Sequence, residues 1–268
     1  PDGRLHHRPL RLSGQRESLL QNDSHRQHIS GQFNAELEAV RNHLLEMGGR
    51  VEAAVARAVE TLLARDSGEA EAVIAADEEV NAMEVRIDEE CSRILARRQP
   101  AASDLRLVIA VAKVTTDLER VGDEATKIAR QAIRLSEQAP ARGSSPEVRR
   151  IGKHVGAMLR SALDAFARQD VAVAVNVVVD DEGVDSEYHS AMRSLVTFMM
   201  EDPRNIGPIL NELWALRALE RIGDHAANIA EQVIYLARGL DVRHMEPAQL
   251  RAYMQEEAAQ PSPGDAAP

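Results

Sequence analysis

The sequence predicts an all-α protein made of two tandem three-helix bundles related by internal duplication. Three observations predict it. The string Leu118-Glu-Arg-Val-Gly-Asp123 returns 101 positions later as Leu219-Glu-Arg-Ile-Gly-Asp224, with one Val/Ile exchange. Apolar residues around each copy keep a 4-3-4-3 spacing, the seam of a helix packed on helices. Aromatic residues are only 3% of the 268, while Ala, Val, Leu, Glu and Arg dominate, a composition of long helices rather than sheets.

The first helix is read from Leu37, Val40, Leu44, Met47, Val51, Ala54 and Ala58. Asp66-Ser67-Gly68 interrupts it, and a second helix carries Val73, Val80, Ile87, Cys91 and Ile94. Arg97 and Arg98 at its end suit the helix dipole, and Pro100 follows. The third helix carries Val114, Leu118, Val121, Ala125, Ile128, Ala132 and Leu135. Beyond Gly143-Ser-Ser-Pro146 the plan repeats, broken once at Pro203. Its final helix carries Ala215, Leu219, Ile222, Ala226, Ile229, Val233 and Leu236. Val171–Val179 would be a strand on β-propensity alone. Its counterpart, Ser67–Ala75, is plainly helical, and a duplicated element keeps its type, so a helix is expected here too.

Upstream of the two strings the offset becomes 104. Asp66 then faces Asp170, Asp77 faces Asp181, and Asn81 faces Asp185. The expected division is a polar N-terminal tail over 1–32, one bundle over 33–140, a second over 141–240 and a C-terminal tail over 241–268. A unit near 100 residues suits a small helical bundle rather than a solenoid repeat. The tail histidines His6, His7, His25 and His28 lie in polar sequence without period and are given no role.

Composition excludes several functions. The single cysteine, Cys91, rules out a disulfide framework and a thiolate zinc cage. Set among apolar helical positions, it reads as an inert buried thiol. A net charge of −11 argues against nucleic acid and anionic lipid as non-specific partners. The longest apolar run, Val171–Val179, contains Asn176 and is too short to span a bilayer. No secretory signal is read in residues 1–30, which lack an apolar core segment.

The repeated string places Glu119 and Asp123, and again Glu220 and Asp224, one turn apart on a helix face. Two like charges at that spacing cost about 0.2–0.5 kcal/mol, and a divalent cation would reverse the sign. Such pairs are common on solvated helices, and Lys127 stands one turn from Asp123 as a partner. The recurrence of the pair weighs toward cation binding. With Leu118 and Val121 in the seam, these carboxylates are expected on an exposed face and not in a buried pocket. Asp77/Asn81 and Asp181/Asp185 have the same spacing; they either line that face or are ordinary surface polarity. Gly122 and Gly223 cost roughly 0.5–1 kcal/mol each in mid-helix, so another backbone or a ligand is expected to come close there. His225, whose counterpart is Glu124, is either a metal ligand or, as the default expectation, a surface or capping residue.

At these residues the sequence resembles the PhoU family of bacterial phosphate-uptake regulators. The match runs roughly from His28 to His244. Its strongest pieces are Gln99-Pro-Ala-Ala-Ser-Asp-Leu-Arg106, Asp117-Leu-Glu-Arg-Val-Gly-Asp-Glu-Ala125 and Ala218-Leu-Glu-Arg-Ile-Gly-Asp-His-Ala226. The family signature, Glu/Asp-x-x-x-Asp once per repeat, is met by Glu119/Asp123 and Glu220/Asp224. The resemblance implies two similar three-helix bundles side by side, with divalent or transition metal ions (Mg, Mn, Zn or Fe) at the acidic faces of some members. It implies a cytoplasmic negative regulator of phosphate uptake and of the phosphate-starvation response. Its partners would be a PhoR-type sensor histidine kinase and a PstB-type ATPase of the phosphate transporter, the latter bringing it to the inner membrane without insertion. It also implies a homodimer or higher oligomer.

The competing function is a carboxylate-bound metalloprotein or metalloenzyme on a helical bundle. That chemistry draws on Glu-x-x-His pairs inside the bundle, and the candidate helices carry none. Neither Gly-x-Ser-x-Gly, a phosphate-cradling glycine loop nor His-Glu-x-x-His occurs, so no catalytic residues are assigned.

Overall fold

The computed structural model describes residues 13–138, 146–246 and 248–253, with side chains from residue 31 onward. Helices α1 (Ser13–Ala64), α2 (Ser67–Arg98) and α3 (Ala102–Ser136) form the first bundle. Helices α4 (Pro146–Arg168), α5 (Val171–Glu201) and α6 (Ile206–Arg238) form the second, with a 3-10 turn, Pro203–Asn205, between α5 and α6. The described residues contain no strand.

The duplication is visible atom by atom at the first corner of each bundle. Arg65 and Gln169 take left-handed backbone angles (φ 55 and 54), and each hands the chain to an aspartate. Asp66 Oδ1 accepts from Glu69 N at 3.0 Å, and Asp170 Oδ1 accepts from Val173 N at 3.1 Å. Each aspartate thereby satisfies a backbone donor that a helix start leaves orphaned, worth about 1 kcal/mol. The Asp170 cap explains how Val171–Val179 becomes helical despite its β-branched run. The cap fixes the first turn, and Ala174, Val175, Val177 and Val179 are then buried against the bundle. Burial of such side chains returns roughly 1.5–3 kcal/mol each, well above the few tenths that helix propensity costs.

The expected seams are the core. All seven seam positions of α3 and all seven of α6 are buried, as are Val73, Val80, Ile87, Cys91 and Ile94 of α2. Burial pushes the Cys91 thiol up to about 12, which keeps it protonated and inert. The two bundles share one continuous apolar core. They meet antiparallel along α3 and α6. Lys113 Nζ lies 5.5 Å from the Tyr235 ring centre, Asp117 meets His225, Glu124 meets Arg221, and Gln138 meets Asn211.

Two boundaries differ from expectation. Helix α1 begins at Ser13, inside the segment expected to be a polar tail over 1–32. After α6, Gly239 (φ 70) ends the helix, and Val242 and Leu250 are buried on the core, so the tail expected from 241 is packed at least that far. Apolar content is too sparse in either segment for periodicity to show this. His6, His7 and residues 256–268 lie outside the described residues, as do the side chains of His25 and His28.

Candidate functional site

The acidic faces form where α2 crosses α3 and where α5 crosses α6. On α3, Glu119 is half-buried and Asp123 exposed. Asp77 of α2 lies directly over Gly122: a Cβ there would sit 2.8 Å from Asp77 Oδ1 and 3.4 Å from Val80 Cγ1. At Gly223 a Cβ would stand 3.3 Å from both Asp181 Oδ1 and Val184 Cγ1. The duplicated glycine thus makes room for a carboxylate of the neighbouring helix. The close approach expected at these glycines is real, and a side chain rather than a backbone makes it.

In the first bundle Asn81 Nδ2 reaches Asp77 Oδ2 at 3.5 Å. Burial and the Asp123 charge raise the Asp77 carboxyl above its ordinary value. Burial, then Asp123, Glu84 and Asp77, raise Glu119 in the same way. Glu84 therefore belongs to this face. Sequence reasoning missed it, although it follows Asn81 by three residues and so lies on the same side of α2. Lys127 does not pair with Asp123; its ammonium lies 2.9 Å from Glu124 Oε1.

The second bundle draws its carboxylates tighter. Oxygens of Asp185, Glu220 and Asp224 lie within 4.8 Å of one another, a spacing that the first bundle's carboxylates do not reach. Asp181, above Gly223, adjoins the group without sharing that spacing. Burial, followed by Asp224, Asp185 and Glu220, pushes its carboxyl up to about 7. Burial and like charges also raise Glu220 and Asp224.

Glu220 corrects the expectation of an open face. It is 7% exposed; its Oε1 accepts from Arg217, and its buried Oε2 has no hydrogen-bond partner. The cause is local. Arg217 lies 5.9 Å from the Tyr188 ring centre, and Tyr188 occupies on α5 the place that Glu84 holds on α2. An arginine and a phenol ring therefore cover one flank of the second site, where the first has another carboxylate.

His225 is a second correction. It is 6% exposed, not a surface residue, and its Nδ1 lies 2.9 Å from Asp117 Oδ1 across the seam between the bundles. Its counterpart Glu124 is likewise buried in that seam, 2.9 Å from Arg221 Nε. Both residues serve the join between bundles and stand apart from the carboxylate clusters.

The donor set of the second site suits a hard divalent cation. It offers carboxylate oxygens at short mutual spacing, one of them buried and without a partner, with repulsion that no internal cation fully relieves. Glu220, Asp224 and Asp185 could hold such an ion, with Asp181 beside them. In the first bundle Glu119, Asp123, Asp77 and Asn81 face one another more loosely.

The fold and these sites define a duplicated all-helical protein with one acidic face per bundle and its carboxylates at equivalent positions. The profile described as the PhoU domain matches it twice, over residues 44–132 and 148–233. A Pseudomonas putida protein described as "Phosphate-specific transport system accessory protein PhoU homolog" is 58% identical over 237 residues, covering 88% of this chain and 93% of its own. The crystal structure of PhoU from Pseudomonas aeruginosa shares 60% identity, with a TM-score of 0.76, over 78% of this chain and 100% of its own. A Streptococcus pneumoniae structure, described as the phosphate transport system regulatory protein PhoU, superposes with a TM-score of 0.72 at 30% identity, over 78% and 99% of the two chains. The chain belongs to the PhoU family.

Proposed function

We propose that this protein is a phosphate-transport accessory protein that restrains phosphate uptake and silences the phosphate-starvation response, by protein contact rather than catalysis. The observation that carries this is the near full-length, 58% identical match to a phosphate-specific transport system accessory protein. A PhoR-type sensor histidine kinase and a PstB-type ATPase of the transporter are the partners proposed, with self-association into a homodimer or higher oligomer. No helix among the described residues is long and apolar enough to cross a membrane, which suits a cytoplasmic protein brought to the inner membrane by its partners.

The acidic faces are the proposed working surfaces. A divalent or transition cation (Mg, Mn, Zn or Fe) held by Glu220, Asp224, Asp185 and Asp181, and by Glu119, Asp123, Asp77 and Asn81, would neutralise their mutual repulsion. Such faces do not hold free phosphate, because like charges repel. A phosphate signal therefore has to arrive through the transporter or a bound cation. Deleting the gene in its host and measuring phosphatase output at high phosphate tests the regulator. Constitutive output, silenced again by the wild-type gene, is expected; unchanged output in a strain with no second copy would refute it.

A further inference from the structure

Two exchanges set the flanks of the acidic faces apart. Glu84 of α2 and Thr116 of α3 border the first; Tyr188 of α5 and Arg217 of α6 hold the equivalent places beside the second. Thr116 turns its hydroxyl back to Ala112 O, 3.3 Å away on its own helix. Among the described residues Glu119 accepts no hydrogen bond. In the second bundle Arg217 donates to Glu220 Oε1, and its guanidinium stands 5.9 Å from the Tyr188 ring centre, within cation–π range. The other oxygen of that carboxylate, Oε2, is buried and has no partner.

A difference in spacing goes with this difference in flank. Glu220, whose Oε1 is held, shares with Asp185 and Asp224 the 4.8 Å grouping that no described carboxylates of the first bundle form. A carboxylate with one oxygen fixed presents the other in a set direction, and ligating carboxylates are often held this way by an outer donor. Arginine suits that place, because its planar fork stays charged and can rest on an aromatic face while donating from its edge. Burial, and then the neighbouring carboxylates, raise Glu220 and Asp224, and the Arg217 charge draws both back toward the ionised form that a ligand needs. The same charge also repels an arriving cation, so orientation and repulsion act on affinity with opposite signs. The Arg217 side chain is 49% exposed and that of Glu220 only 9%. Water therefore screens the repulsion, while the oriented carboxylate stays fixed in the interior. Orientation wins.

We propose that Arg217, carried on the Tyr188 ring, is the positioning residue that sets Glu220 as a cation ligand and gives the second bundle the stronger site. The proposal rests on the cation reading of the acidic faces and names the device that makes them unequal. Calorimetric titration of the chelator-treated full chain with Mn²⁺ tests it, in a Glu119→Gln, Asp123→Asn parent that isolates the second site. Arg217→Met, with unchanged helical circular dichroism, should bind Mn²⁺ about ten- to a hundred-fold more weakly, the usual loss when an outer partner of a ligand is removed. Tyr188→Leu keeps the arginine charge and removes only its platform, so it should also weaken binding, by a smaller factor. Charge alone predicts the reverse: tighter binding in Arg217→Met and no change in Tyr188→Leu. Binding equal to or tighter than the parent's in Arg217→Met would leave the cation reading standing and overturn the role of Arg217. Weaker binding in Arg217→Met beside unchanged binding in Tyr188→Leu would overturn the part given to the ring. No Mn²⁺ binding by the parent or by the wild-type chain would overturn the cation reading together with this one.

Discussion

His225 Nδ1 lies 2.9 Å from Asp117 Oδ1, and this buried pair ties α6 to α3 between the two bundles. Asn228 Nδ2 adds a weaker donor at 3.3 Å to the same oxygen. His225→Ala would leave a buried carboxylate with that weaker donor only. A loss of about 1–3 kcal/mol is expected from an under-satisfied buried group. In a chain of this size that lowers the melting temperature by several degrees. A melt indistinguishable from wild type would contradict the pairing.

Gly122→Ala and Gly223→Ala separate stability from site geometry. Alanine gains about 0.5–1 kcal/mol of helix propensity. Its Cβ would, however, push aside Asp77 at the first position and Asp181 at the second. Melting temperatures close to wild type are expected, together with weaker divalent-cation binding measured by calorimetry. Unchanged cation binding in both variants would show that the glycines do not serve the acidic faces.

The carboxylates set a pH dependence with a definite sign. Asp181 moves from an ordinary value of 3.8 to about 7 on folding. Between those values the folded chain keeps a proton that the unfolded chain releases. Stability from this group is therefore full below about pH 4 and is lost as pH rises through 7. Glu220 and Asp224 shift the same way, as does Glu231, which burial pushes up to about 7. In chelator-treated protein the melting temperature should fall between pH 5 and pH 7.5, and Asp181→Asn should flatten that fall. A fall of equal size in the variant would contradict the assignment.

Much of this was legible in the sequence, and the reasons are specific. The helix at Val171–Val179 was readable only because its duplicate, Ser67–Ala75, lacks the β-branched run. The 4-3 seams located the apolar side of α3 and α6. They could not show that the opposite side of each helix is also covered. That second interface is lined by polar residues, among them Asp117, Glu124, Asn211 and His225, all buried. Polar positions outside an apolar seam look solvated, and their partners lie about 100 residues away in sequence. The same limit hid Glu220, whose Arg217 and Tyr188 cover comes from a substitution on the neighbouring helix.

Cation affinity should differ between the bundles. The clustered oxygens of Asp185, Glu220 and Asp224 favour the second site over the looser first one. Mn²⁺ at about a hundred times its dissociation constant should stabilise the protein by about 2.7 kcal/mol. Asp185→Asn with Glu220→Gln and Asp224→Asn should remove most of that gain, whereas Glu119→Gln with Asp123→Asn should remove less. Equal losses in thermal-shift titrations would contradict the ranking.

Phosphatase output at high phosphate, in a deletion strain carrying Glu119→Gln, Asp123→Asn, Glu220→Gln and Asp224→Asn together, tests most directly whether regulation runs through the acidic faces. The variant should accumulate as a folded helical protein and leave phosphatase expressed, as in the deletion. Full silencing by that variant, at wild-type protein levels, would contradict the claim that these faces carry the function.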